Sequence, residues 1–146
     1  MQTDIVSTLL YKKTSYFILG GKSEEEILSN CAEALNNNMS IIQFNPVNCD
    51  LISVKIGHKI RQLCSIYDSL YIVKSRCDIA TITEANGVLL SDKDIKIEDA
   101  RKILSHETLV LTDYLSDTAD IVLYDKHVEN IKNLFVKEKE NIYLRV

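Results

Sequence analysis

Four carboxylates, Asp92, Asp94, Asp113 and Asp125, follow short apolar runs of the chain and could act together. A cluster of carboxylate oxygens would hold a metal ion or an amine, because hard cations prefer oxygen ligands. Aspartates beside strands and helices also commonly cap helices or close loops. We favour these structural roles and keep an acidic pocket as the alternative.

Other residue types that carry chemistry give weaker signals. Residues 20–22 read GGK, but they lack the further glycine, at the required spacing, of a phosphate-binding loop. The three histidines, His58, His106 and His127, are predicted to lie on solvated surface. The four cysteines have no C-x-x-C spacing, which predicts reduced structural thiols.

Alternating apolar periods predict the elements that position these residues. Seven runs are predicted strands: 15–19, 40–44, 70–73, 87–90, 108–111, 120–123 and 142–144. Helical spacing of apolar residues predicts about five helices: 23–35, 52–67, 78–85, 97–104 and 128–135. Such alternation indicates a mainly parallel sheet, in which functional groups gather at the carboxyl ends of the strands.

The fifth and sixth predicted strands are joined by a short connection. It has about eight residues, from Leu111 to Ala119, whereas a parallel crossover usually needs about a dozen or more. A helix is therefore expected to be missing there. The fold prediction is α/β: a shortened, incomplete TIM-type (β/α) barrel of about seven mainly parallel strands. Residues 1–146 form one domain in this prediction, with 1–14 as a short N-terminal extension.

Net charge and the N-terminal residues argue against nucleic acid and membrane as partners. The formal net charge of -4 indicates no basic surface for nucleic acid, and Asp4, Lys12 and Lys13 interrupt the N-terminal apolar stretch. We therefore predict a cytoplasmic protein that binds neither nucleic acid nor membrane. An open barrel leaves unpaired strand edges, so residues 141–146 are expected to pair with a second copy or a partner subunit.

Two segments of the chain resemble a known family. Residues 71–80 read YIVKSRCDIA and residues 85–90 read ANGVLL, which is similar to the thiamine-phosphate synthase and TenI family. The family pattern there is a strand ending Asn-Asp, a helix, and Ala-Asp-Gly-Val-His-Leu. Residues 41–44 and 119–122 resemble two further strands of that family, so the resemblance covers residues 16 to 124.

The resemblance implies a TIM-type barrel that joins hydroxymethylpyrimidine diphosphate to a thiazole phosphate, with magnesium on the departing pyrophosphate. The positions of this chain that match the family's substrate site are the substrate-binding candidates: Gln43, Asn45, Lys74, Ser75 and Thr112. Asp94 is the one metal-ligand position that keeps its carboxylate.

This chain differs from the family pattern at positions where the family has charged residues. Asn45 and Val47 stand where the family has arginine and lysine, and Lys74 and Ser75 replace its Asn-Asp. Loss of cations around a pyrophosphate removes stabilisation of the leaving group. We hypothesise that Lys74 pairs with Asp94 and replaces the metal.

The resulting prediction is a degenerate family member, with no catalytic residue assigned, that binds a phosphorylated or anionic small molecule or acts as an interaction module. No cofactor is expected, and magnesium only if the family activity is retained. The alternative is an active thiamine-pathway transferase completed by a partner subunit. A receiver-like doubly wound domain is a third interpretation, but Ser75 stands where such a domain needs aspartate.

Overall fold

The structure is a computed structural model that describes residues 15–123. It contains one sheet of six parallel strands, ordered β1 to β6 as they follow in the chain. The strands are β1 Tyr16–Leu19, β2 Ile41–Phe44, β3 Leu70–Lys74, β4 Gly87–Leu90, β5 Leu109–Thr112 and β6 Ile121–Val122. The sheet curls into half of a barrel. Six predicted strands are confirmed, and the predicted strand 142–144, the predicted helix 128–135 and the extension 1–14 lie outside the described residues.

Four helices cover the outer face of the sheet within residues 15–123. They are α1 Glu24–Asn36, α2 Asp50–Tyr67, α3 Cys77–Ile82 and α4 Ile97–Ile103. Ser23 caps the start of α1: its Oγ accepts a hydrogen bond from Glu26 N, and Glu26 Oε2 accepts one from Lys22 N. The four predicted helices in this range are therefore confirmed, with ends shifted by a few residues.

Strand alternation divides the core into two apolar layers. One layer packs between the sheet and the helices and includes Phe44, Tyr71 and Val73. The other lines the concave inner face and includes Tyr16 and Ile72, both fully buried. Because successive side chains of a strand point to opposite faces, residue parity decides which side chains can reach a site inside the barrel.

The connection from β5 to β6 contains no helix, as its length predicted. Asp120 anchors it: its backbone N–H donates to Val110 O, and its carboxylate accepts from Val110 N at 2.8 Å. Arg101 on α4 donates to Asp120 and to the carbonyl of Thr118. A side-chain carboxylate and an arginine thus take over the positioning that a crossover helix usually gives.

All four cysteines are free thiols, and Cys31, Cys64 and Cys77 are buried while Cys49 is exposed. None of the helices in the described range 15–123 has the length and apolar content that crossing a membrane requires.

Candidate functional site

A polar layer caps the inner apolar face at the carboxyl ends of the strands. Gln43 follows Ile41 on this face of β2, and Lys74 follows Ile72 on β3. Ser91 and Asp113 continue the inward parity of Leu89 and Leu111 beyond β4 and β5. The positions with inward parity thus change from apolar to polar at the edge where ligands bind in parallel α/β folds.

Tyr16 and Gln43 form the buried half of this layer. The Tyr16 hydroxyl donates to Gln43 Oε1 at 2.5 Å, and Gln43 Nε2 donates to Asn45 Oδ1 at 2.7 Å. Burial, and secondarily the negative charge of Asp113, raise the pKa of the Tyr16 phenol. A neutral Tyr16 therefore fixes the amide of Gln43, which in turn orients Asn45.

Lys74 belongs to a second chain of hydrogen bonds. Its ammonium donates to Ser91 Oγ at 2.8 Å, and Ser91 Oγ donates to Asp113 Oδ2 at 2.8 Å. No ion pair within residues 15–123 joins Lys74 to Asp94, so the hypothesised direct pair is wrong. The reason is geometric: Ser91 shares the inward face with Lys74, whereas Asp94 turns back toward its own loop.

Asp94 closes the loop that follows β4. Its Oδ2 accepts from the backbone N–H of Ser91 and from Ser75 Oγ, each at 2.8 Å. Ser75 has a φ of 65°, which is a left-handed conformation. It is uncommon for residues other than glycine, and residues that adopt it are often found at functional sites. The Asp94 carboxylate therefore joins the loop after β4 to the strained end of β3, which agrees with the favoured loop role.

An open cavity of about 430 Å³ lies beside these groups. Residues 45–48 after β2 and residues 74–76 at the end of β3 line it. Two of the lining residues, Lys74 and Arg76, are cationic. Arg76 is already paired, because its guanidinium donates to both oxygens of Asp78 and to Asp50. Hydrogen bonding by Arg76 also holds the pKa of the Asp78 carboxyl below its usual range.

Three predicted binding residues, Asn45, Lys74 and Ser75, line the same cavity, and Gln43 supports it through Asn45. Thr112 is not brought there. It is fully buried with the parity of Val110, on the helix side of the sheet, and its hydroxyl donates to the carbonyl of Tyr114.

Sequence reasoning did not single out Tyr16, Ser91 or Arg76 as site residues. A signal for Ser91 exists in the sequence, because it lies two residues beyond Leu89 and so shares its inward face. Asp113 was considered only as one of four loop carboxylates. The structure gives it a partner, the hydroxyl of Ser91.

Negative charge also collects in the loops after β4 and β5. Burial and the carboxylates of Asp113, Asp92 and Asp94 together raise the pKa of the Tyr114 phenol. These three aspartates do not line the cavity described above. Asp125, the fourth carboxylate of the predicted acidic pocket, lies outside the described residues.

A parallel sheet that curls into half of a barrel, with a polar cavity at the carboxyl ends of its strands, defines a protein of the (β/α)-barrel class. A family profile described as thiamine monophosphate synthase matches residues 15–112, and the chain belongs to this family.

Curated relatives and a solved structure agree with this family. The chain is 32% identical over 103 residues to the thiamine-phosphate synthase of Nostoc punctiforme, covering 70% of this chain and 29% of that protein. It is 34% identical over 92 residues to the enzyme of Campylobacter jejuni, covering 62% of this chain and 44% of the relative. A thiamine phosphate pyrophosphorylase from Pyrococcus furiosus superposes with a TM-score of 0.63 at 28% identity, covering 70% of this chain and 51% of that structure. The chain thus spans about half or less of the proteins it matches.

Magnesium, which the family resemblance implies, does not fit the donor set at the matching positions. Among residues 15–123 no group of three or more His, Cys, Asp or Glu side chains could hold a metal ion. Asp94 is committed through Oδ2 to Ser75 and Ser91, and the ammonium of Lys74 lies in the same network. A hard divalent ion takes several oxygen ligands and is repelled by a neighbouring ammonium.

Proposed function

We propose that this chain binds a small phosphorylated or anionic molecule of the thiamine pathway in the cavity at the ends of β2 and β3, and has lost the transferase activity of its family. The observation that carries the proposal is the lining of that cavity by Lys74 together with the amide of Asn45 and the hydroxyl of Ser75. A volume of about 430 Å³ is in the range of metabolite sites.

The polar groups support an anionic rather than an apolar ligand. Lys74 contributes a positive charge, and asparagine side chains at positions 45 and 48 offer amide N–H groups to ligand oxygens. Of the two amide donors of Gln43 one is used by Asn45, and this contact holds Asn45 at the cavity. Phosphate and carboxylate groups are the ligands that such a combination recognises.

Loss of transfer activity follows from the charges that are absent from the family positions. Ionising a carbon-oxygen bond places negative charge on a departing pyrophosphate, and cations or a metal must stabilise it. Asn45 and Val47 are neutral, and Arg76 is compensated by two carboxylates. Each missing charge-assisted contact lowers the rate by about tenfold or more.

Isothermal titration with thiazole phosphate, hydroxymethylpyrimidine diphosphate and inorganic pyrophosphate tests the proposal. We expect binding of at least one phosphorylated compound and no binding of the unphosphorylated thiazole alcohol. Equal binding of phosphate and alcohol, or no heat with any compound, would contradict an anion pocket. The variant Asn45→Ala should weaken binding, while the exposed Gln62→Ala on α2 serves as a matched control.

An active transferase completed by a partner subunit is the second candidate. The observation that favours it is that the six strands of residues 15–123 form half of a barrel, which a second subunit could complete. Mixing both substrates with the chain and assaying thiamine phosphate separates the two candidates, because the binding proposal expects no product. Formation of product only after a partner subunit is added would establish the second candidate. Association through an open sheet edge also stays a prediction, which sedimentation analysis over a range of concentrations tests.

A further inference from the structure

We propose that the ammonium of Lys74 takes the place of the family's divalent metal, so that this chain binds a diphosphate group without magnesium. This inference rests on the proposed function, because it assumes that an anion enters the cavity between residues 45–48 and 74–76. It concerns how the charge of that anion is neutralised. The inference starts from the observation that the residues of this edge, among residues 15–123, do not form a magnesium site.

Lys74 has the capacity to bind the anion. An ammonium group carries three N–H donors, and within residues 15–123 the Lys74 ammonium uses one of them, toward Ser91 Oγ. The side chain is half-buried and lines the cavity. The other cation of the lining, Arg76, already donates to Asp50 and Asp78. Lys74 is therefore the lining cation with donors left for a ligand.

Ser91 and Asp113 position Lys74. The Ser91 hydroxyl accepts from Lys74 and donates to Asp113 Oδ2, so the ammonium is held by a neutral oxygen instead of a direct carboxylate. A direct ion pair would neutralise the ammonium and compete with an incoming phosphate. The intervening hydroxyl keeps the ammonium oriented and leaves its charge available.

Asp94 has one of its two carboxylate oxygens committed to the loop that it closes. Its Oδ2 holds the hydroxyl of Ser75 and the backbone N–H of Ser91. A metal that recruited this oxygen would release both donors, including a backbone group whose lost hydrogen bond is costly. A hard divalent ion takes several oxygen ligands, and this arrangement leaves it one oxygen of Asp94 beside the ammonium that Ser91 holds.

Titration of inorganic pyrophosphate into the full chain, in EDTA and in magnesium chloride, tests the inference. We expect binding in EDTA and no gain in affinity from magnesium. The variant Lys74→Met, which keeps the length of the side chain, should lose about tenfold or more in affinity. Lys93→Ala removes an exposed lysine of the loop after β4 and should bind like the unmodified chain. Circular dichroism establishes that each variant is folded.

A gain-of-metal variant gives a second readout. Lys74→Asn combined with Ser75→Asp restores the Asn-Asp pair of the family, and aspartate tolerates the left-handed backbone at position 75. We expect pyrophosphate binding by this variant only when magnesium is present, together with direct binding of magnesium.

The outcomes separate the two proposals. Absence of pyrophosphate binding by the unmodified chain in both buffers would overturn this inference, and the anion pocket itself falls if thiazole phosphate and hydroxymethylpyrimidine diphosphate also fail to bind. Binding that requires magnesium would keep the pocket and overturn the role of Lys74. Binding in EDTA that survives Lys74→Met in a folded protein would also keep the pocket and assign the charge to another group.

Discussion

The phenol of Tyr16 lies inside the curled sheet, where its hydroxyl and the amide of Gln43 satisfy each other. Tyr16→Phe would leave Gln43 Oε1 buried without this donor, and such an orphaned acceptor costs about 1–3 kcal/mol. We expect this decrease in the free energy of unfolding, measured by urea denaturation. Tyr67→Phe is the matched control, since Tyr67 is 42% exposed and water can replace its contact with Asn36. Equal losses in the two variants would contradict the structural role of Tyr16.

Stability at alkaline pH depends on the same phenol. Burial raises the pKa of Tyr16 and of Tyr71 above the ordinary value of 10.0. Above pH 10 the unfolded chain loses these protons while the folded chain keeps them, so the free energy of unfolding falls as pH rises. We expect a slope of about 1.4 kcal/mol per pH unit for each tyrosine, from urea midpoints measured above pH 10. Tyr16→Phe should reduce the slope, and an unchanged slope would show that another group is responsible.

The partner of Lys74 shows what sequence reasoning could reach at single residues. Its place at the end of a strand was predicted, because parallel strands bring their carboxyl ends together, and the structure puts it beside a cavity. Its hydrogen-bond partner was not predicted. The Asp94 carboxylate accepts a hydrogen bond from the backbone N–H of Ser91, and sequence spacing does not reveal this contact. Thr112 failed to reach the cavity for a simpler reason: its parity points it to the helices.

At the scale of the elements, the close approach of α2 to β3 depends on Gly57. A Cβ at this position would lie 2.6 Å from Tyr71 Oη and 2.8 Å from Thr83 Cγ2. Gly57→Ala should therefore destabilise the protein by about 1–3 kcal/mol, although alanine favours helix more than glycine does. Chemical denaturation measures the loss.

Two further variants identify the cause of the Gly57 effect. Combining Gly57→Ala with Tyr71→Phe removes the closest atom and should recover part of the stability, as expected for residues in contact. Gln62→Ala, on an exposed turn of the same helix, should change stability by less than about 0.5 kcal/mol. A stabilising Gly57→Ala would mean that helix propensity outweighs the contact.

Elements with a clear period were the part of the fold that the sequence predicted well. The start of α1 at Ser23 and the long apolar stripe of α2 were both recognisable, because capping and the 3.6-residue period act locally. The absence of a helix between β5 and β6 followed from chain length alone. The anchoring of that connection by Asp120 and Arg101 did not, since it joins groups far apart in the chain.

At the scale of the whole molecule, the proposed ligand site would couple binding to folding. Its two sides come from residues 45–48 and 74–76, which the parallel pairing of β2 with β3 brings together. The unfolded chain has no such site, so a ligand that fills it stabilises the folded state by mass action. Global stability therefore reports on the site even without an assay of activity.

Thermal unfolding with pyrophosphate in EDTA uses this coupling. At about 100 times the dissociation constant the ligand adds about 2.7 kcal/mol, which raises the Tm by about 5–10 °C for a chain of this size. The increase should shrink at high salt, because the contact with Lys74 is electrostatic and partly exposed to solvent. At the same ligand concentration a tenfold loss of affinity in Lys74→Met should about halve the increase, and Lys93→Ala should retain it in full. A charged contact at the cavity predicts that the increase depends on both salt and Lys74. An increase that depends on neither would place the stabilising contact elsewhere on the molecule.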